Sequence, residues 1–124
     1  MKKDERVNYW ITNKGAASMD KREVIEKIKR YAEVVKQAIP VKMVILFGSY
    51  AKENAREYSD IDVAVVVDQL KDNYLESRTK LFQLRREIDF RIEPVLIEKD
   101  EKDPAGFLEE ILNTGEIIYQ TQQR

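Results

Sequence analysis

The sequence predicts an α/β (α+β) fold, a small mixed β-sheet with helices packed on it. Three observations carry that prediction. The apolar runs Val44 to Phe47 and Val63 to Val67 are too short for helices and are bounded by turn residues, which fits buried strands. Stretches with apolar residues at helical spacing flank these runs. Helices and strands therefore alternate along the chain, as they do when a sheet is covered by helices. The 124 residues suffice for one domain with its own core.

Residues 1–18 read as an N-terminal arm or extension, with Tyr9, Trp10 and Ile11 as an apolar patch and Gly15 to Ser18 as a linker. Residues 19–124 are assigned to the domain proper. Asp20 starts the first helix, with Glu23 at capping-box spacing. Val24, Ile25, Ile28, Tyr31, Ala32, Val35 and Ala38 form one apolar stripe suited to packing on a sheet, and Pro40 ends the helix. A strand from Val41 to Phe47 follows.

Gly48 breaks that strand, and Ser49 is placed to cap a new helix whose free backbone N–H groups can face an anion. Tyr50 and Ala51 continue this helix. Ten residues after Ser49 come Ser59, Asp60, Ile61 and Asp62, leading into the second apolar strand. Side chains two apart on a strand share a face, so Asp60 and Asp62 point together at the mouth of the Gly48–Ser49 turn. Their separation along the strand is about 6–7 Å. At an effective dielectric of about 20, ionising both costs about 2–3 kcal/mol. A cation between them removes that cost. Mg2+ suits such a site, because it binds one or two carboxylates together with substrate phosphates.

After Asp68, Asp72 to Glu87 reads as a helix with Leu75, Leu81, Phe82, Leu84 and Ile88 as its apolar contacts. Arg78, Lys80, Arg85 and Arg86 read as a solvated face, from which one, not singled out by the sequence, can still reach the nucleotide. Ile88 to Glu98 reads as a strand whose polar face carries Asp89, Arg91 and Glu93. Pro94 places that strand at a sheet edge, since proline cannot donate to a ladder. Asp103 and Pro104 begin a last helix that buries Phe107, Leu108, Ile111 and Leu112 and ends at Gly115. Glu116 to Tyr119 makes a final short strand.

Composition narrows the function classes. Lys and Arg number 22 against 23 Asp and Glu, a net charge of −1, which argues against a nucleic-acid-coating role. The chain has no cysteine and no histidine. Thiol nucleophiles, Ser-His-Asp hydrolysis and Cys/His zinc sites are thereby excluded, and carboxylates remain as metal ligands. The lack of cysteine fits the cytoplasm, the polar N-terminus shows no signal-peptide core, and no apolar run approaches a membrane span.

Gly48-Ser49, a ten-residue spacer and Asp60-Ile61-Asp62 entering an apolar strand together resemble the signature of the nucleotidyltransferase superfamily that includes DNA polymerase beta. The short length resembles its minimal nucleotidyltransferase (MNT-type) branch, often paired with HEPN proteins. The resemblance spans Met19 to Tyr119. It implies a polymerase-beta-like nucleotidyltransferase core and Mg-dependent transfer of a nucleoside monophosphate, AMP from ATP, to a hydroxyl acceptor. It also implies that Gly48, Ser49 and Tyr50 hold the phosphates, Gly48 by close backbone approach and the next two through Ser49 and backbone amides. Asp60 and Asp62 would bind one or two Mg2+ ions. The superfamily's third carboxylate, which binds the second metal and takes the acceptor's proton, falls on Glu93, with Asp89 as the fallback. Neighbouring strands lie about 4.8 Å apart, within reach of such a cluster. The family's second glycine is Glu53 here, a like charge beside a triphosphate unless it turns to solvent.

The acceptor implied by the resemblance is a tyrosine of a partner HEPN toxin, which makes this chain an antitoxin. Two other readings stand beside it. One is a subunit that modifies a small molecule such as an antibiotic, with a second chain completing the site. The other is a catalytically weakened nucleotide-binding or antitoxin module. A homo-oligomer stays open, and neither a membrane nor nucleic acid is expected as a partner.

Overall fold

The capping box expected at Asp20 forms. The Asp20 side chain accepts from the Glu23 backbone N–H at 2.9 Å, and Glu23 accepts from the Asp20 N–H at 3.3 Å. This starts α1 (Lys21–Lys36). The computed structural model describes residues 20–52, 55, 59–68, 70, 73–99 and 106–121. Within them follow β1 (Val41–Phe47), β2 (Ile61–Val67), α2 (Tyr74–Leu84), β3 (Ile92–Glu98), α3 (Phe107–Thr114) and β4 (Glu116–Gln120). A 3₁₀ turn, Arg85–Glu87, tightens the end of α2. The expected arm at residues 1–18, Glu53, the Asp72 cap and the Asp103–Pro104 helix start lie outside the described residues.

The sheet has four strands in the order β3-β2-β1-β4. β1 runs antiparallel to both β2 and β4, whereas β2 and β3 are parallel and joined by the crossover that contains α2. The sheet is therefore mixed, as the sequence predicts. Strand β3 lies at an edge, the place expected from Pro94. Two side chains from the α2 segment bond its backbone carbonyls. The Tyr74 hydroxyl donates to Leu96 O at 3.1 Å, and Arg85 Nη1 donates to Ile92 O at 2.8 Å. Covering an edge in this way removes a template for unwanted strand pairing.

Alternation along β2 sends Ile61, Val63, Val65 and Val67 into the larger core, with α1 and Leu81 of α2. Ala64 and Val66 face the other side, with Ile45 and with Ile111 of α3. Helices thus cover both faces of the central strands, which explains why β1 and β2 read as continuous apolar runs. Tyr31 crosses the larger core and donates its buried hydroxyl to Leu81 O at 2.7 Å, tying α1 to α2. Gly115, after α3, lies so close to the carbonyls of Ile111 and Leu46 that a β-carbon there would overlap both.

Three boundaries differ from expectation. β3 begins at Ile92 rather than Ile88, because the Asp89 side chain accepts from the Arg91 backbone N–H at 2.8 Å and folds residues 88–91 into a turn. α3 begins at Phe107, behind a left-handed Gly106. The helix expected after Gly48 is, among the described residues, a turn over residues 48–52 with one helical bond, Lys52 N–H to Gly48 O at 3.1 Å.

Candidate functional site

The site is built where β1 ends and β2 begins. Antiparallel pairing sets Phe47 opposite Asp62, and parallel pairing sets Asp62 opposite Glu93. Phe47, Asp62 and Glu93 therefore form one row across three strands, on the sheet face that carries α3. Gly48 follows Phe47 with φ +76, a left-handed conformation that disfavours every side chain. A β-carbon at Gly48 would overlap the Asp62 carboxylate. The turn and the second aspartate are thus in direct contact, as the sequence predicts. Asp60 stands exposed just before β2.

The charges at the site are unbalanced. Burial pushes the Asp62 carboxyl up from the ordinary carboxylate range, and the negative charges of Asp60 and then Glu93 push it further. Both carboxylates that the sequence nominates beside Asp62 act on it. Among the described residues no three such side chains already stand in a chelating arrangement. One Glu93 oxygen, Oε2, faces Arg85 Nη1 at 3.5 Å. The donor set nevertheless fits Mg2+. It offers hard carboxylate oxygens whose mutual repulsion a cation relieves, beside the left-handed Gly48 bend.

Asp89 stands apart. Burial raises its carboxyl, but the hydrogen bonds and charge of Arg91, with Lys27, outweigh that and hold it below the ordinary range. Arg91 Nη2 lies 3.2 Å and Lys27 Nζ 3.4 Å from Asp89 Oδ2. Asp89 thus ties α1 to the start of β3. Of the two residues considered as third carboxylate, Glu93 is the one placed opposite Asp62.

Ser49 is half-buried in the turn, while the Tyr50 side chain is 3% exposed and packs in the larger core. Tyr50 can therefore meet a phosphate only through its backbone. Its hydroxyl has no hydrogen-bond partner among the described residues. Arg85, read from the sequence as solvated, instead reaches the site across a chain separation of eight residues. No periodicity links the end of a helix to a strand residue beyond a turn, so the sequence carried no signal for it.

The profile of the family described as polymerase beta, nucleotidyltransferase matches residues 26–124. The chain belongs to this nucleotidyltransferase family. Over 99 residues it is 31% identical to a Methanocaldococcus jannaschii protein named a "putative protein adenylyltransferase", a match covering 75% of this chain and 96% of that one. Among solved structures, a "putative nucleotidyltransferase" from Sulfolobus solfataricus superposes with a TM-score of 0.59, covering 81% of this chain and 83% of that one. At 19% identity, that likeness concerns the fold alone. A toxin–antitoxin structure with AMP-PNP superposes with a TM-score of 0.58 at 26% identity, covering 80% of this chain and 75% of that one. The nucleotidyltransferase core expected from Gly48-Ser49 and Asp60-Ile61-Asp62 is therefore the fold of this chain. No helix among the described residues is long and apolar enough to cross a membrane.

Proposed function

We propose that the chain transfers AMP from ATP, with Mg2+, to a tyrosine hydroxyl of a partner HEPN toxin, and so acts as that toxin's antitoxin. The observation that carries this reading is Asp62 packed against the left-handed Gly48 bend, with Glu93 opposite it on β3 and Asp60 two residues before it. A protein acceptor is supported by the name of the M. jannaschii relative, and a toxin partner with an ATP-like ligand by the AMP-PNP-bound toxin–antitoxin neighbour. The HEPN identity and the tyrosine rest on the MNT-type resemblance of the signature residues.

Gly48 lets the backbone approach the triphosphate, and the Ser49 and Tyr50 amides hold its terminal phosphates. Asp60, Asp62 and Glu93 would bind Mg2+, which when bound neutralises charge on the phosphates. The acceptor's hydroxyl oxygen bonds to the α-phosphorus. The bond from that phosphorus to the bridging oxygen breaks, and pyrophosphate leaves with the electron pair. The hydroxyl proton passes to the Glu93 carboxylate.

The test is to incubate the chain with a purified HEPN protein, Mg2+ and radiolabelled ATP, and to weigh the products. The expected result is AMP added to a tyrosine of the partner, lost in Asp60→Ala and Asp62→Ala. Label transfer by both variants at the wild-type rate would rule the mechanism out. An unmodified partner bound tightly would make the chain a stoichiometric antitoxin instead.

A further inference from the structure

Leu75 and Phe90 are the most exposed large apolar side chains among the described residues, at 71% and 66%. A single apolar residue on a surface is ordinary. Two features set Phe90 apart. The first is that its backbone is fixed. The Asp89 N–H donates to Arg85 O at 2.8 Å, the Arg91 N–H to Asp89 Oδ1 at 2.8 Å and the Ile92 N–H to Asp89 O at 3.2 Å. The side chains on either side of Phe90 are engaged as well, Asp89 with Arg91 and with Lys27 of α1. The second feature is place. β2 and β3 are parallel, so both begin at the end of the sheet that carries Asp60, Asp62 and Glu93. Arg91 O accepts from the Ile61 N–H, between the two aspartates, at 2.8 Å. Phe90 is the residue before that bond and three before Glu93. It therefore stands at the rim of the site, on the β3 side.

We propose that Phe90 is a docking residue for a protein acceptor, covering an apolar side chain of the partner beside the hydroxyl that is modified. This rests on the reading of the chain as a protein adenylyltransferase with Glu93 on the acceptor's side. An aromatic ring on a fixed turn loses little conformational freedom when a partner covers it, and its apolar area leaves water in full. Anchors of that kind dominate protein interfaces. A small molecule is bound in a concavity that buries most of its surface. A ring exposed on a turn beside the carboxylates offers no such enclosure, and it suits the broad surface of a protein. The partner's chemistry follows: an apolar residue near the acceptor hydroxyl, placed to meet Phe90 while the hydroxyl meets Glu93.

Leu75 supplies the control. It follows Tyr74, whose hydroxyl bonds Leu96 O, four residues beyond Ile92 along β3 and so away from the site. The experiment measures AMP transfer from radiolabelled ATP to a purified HEPN protein at varied partner concentration, using the full chain. Each variant is also melted and titrated by calorimetry with Mg2+ and a non-hydrolysable ATP analogue. Phe90→Ser is expected to raise KM for the partner about 10–30-fold. Its kcat at saturating partner, analogue binding and melting temperature should stay close to wild type. Phe90→Leu should recover most of the lost affinity, and Leu75→Ser should leave KM unchanged. An unchanged KM in Phe90→Ser, with transfer lost in Asp60→Ala, overturns the docking role and leaves the transfer reading intact. Equal rises in Phe90→Ser and Leu75→Ser also overturn it, because the effect would then not belong to the rim of the site. A fall in kcat at constant KM overturns it too, since the ring would then act on the chemistry. Wild type that labels no partner overturns the transfer reading and the docking role with it. If Phe90→Ser melts early, Phe90→Asn runs through the same assays.

Discussion

Asp62 fills the space where a β-carbon on Gly48 would stand. That contact makes Gly48 a positioning element as well as a bend. In Gly48→Ala, the left-handed backbone costs about 1–2 kcal/mol, and the new methyl displaces the carboxylate. A small misplacement of a reacting group can lower a rate about 10²-fold. Gly48→Ala is therefore expected to melt lower and to lose label transfer by about that factor even when fully folded. Wild-type turnover in the folded variant would show that the contact does not govern the site.

Asp62→Asn is expected to do the opposite to stability while abolishing transfer. A carboxyl whose folded-state value lies above its unfolded value favours the protonated form in the fold. Wild type therefore loses stability as pH rises from the ordinary carboxylate range through the raised Asp62 value, and the amide does not. In metal-free buffer the variant should melt above wild type at neutral pH, with the gap closing in acid. Mg2+ with an ATP analogue should then raise the melting point of wild type and not of the variant. Parallel melting curves across pH would contradict this.

Asp89→Asn has the reverse signature. Burial raises this carboxyl, but Arg91 and Lys27 more than offset it, so its folded value lies below its unfolded one. The stability it contributes is present above the ordinary carboxylate value, about 3.9, and is lost as pH falls through the lowered value. Asp89→Asn should melt below wild type at pH 7 and converge with it in strong acid. Turnover per folded molecule should stay within a few-fold of wild type, whereas Glu93→Gln should lose turnover without a comparable loss of stability. A catalytically dead but stable Asp89→Asn would exchange the two assignments.

Two buried tyrosines make a paired test of the core. Tyr31 donates its hydroxyl to Leu81 O, and Tyr50 has no such partner among the described residues. Removing a satisfied buried hydroxyl leaves its acceptor stranded and costs about 1 kcal/mol, whereas removing an unsatisfied one costs little or stabilises. Tyr31→Phe should lower the melting temperature by a few degrees and Tyr50→Phe should not. The opposite order in thermal denaturation would show that the Tyr50 hydroxyl is satisfied after all.

Much of this arrangement was legible in the residues because it depends on short-range rules. Alternation put Asp62 on the face opposite Val63, a break after Phe47 required glycine, and Pro94 marked an edge. Features that join distant residues were not legible. The strand beginning at Ile88 was misplaced because alternation through Asp89 and Arg91 resembles a strand until the Asp89 side chain captures the Arg91 N–H. Tyr50 lies in the expected turn, but no local pattern showed that its ring would be buried in the larger core. Arg85 had nothing to distinguish it from Arg78, Lys80 and Arg86, because only the wrap of α2 onto β3 brings its guanidinium to Glu93.

Strands β2 and β3 are matched residue for residue from Ile61–Ile92 to Val67–Glu98. One extra residue inside either strand would invert every side chain beyond it and turn a carboxylate into the hydrocarbon interior. The crossover that carries α2 is free of that constraint, because its length does not enter the register. Natural variation and grafting should thus accumulate in the helical insert, and single-residue indels within the two strands should be eliminated wherever the activity is under selection.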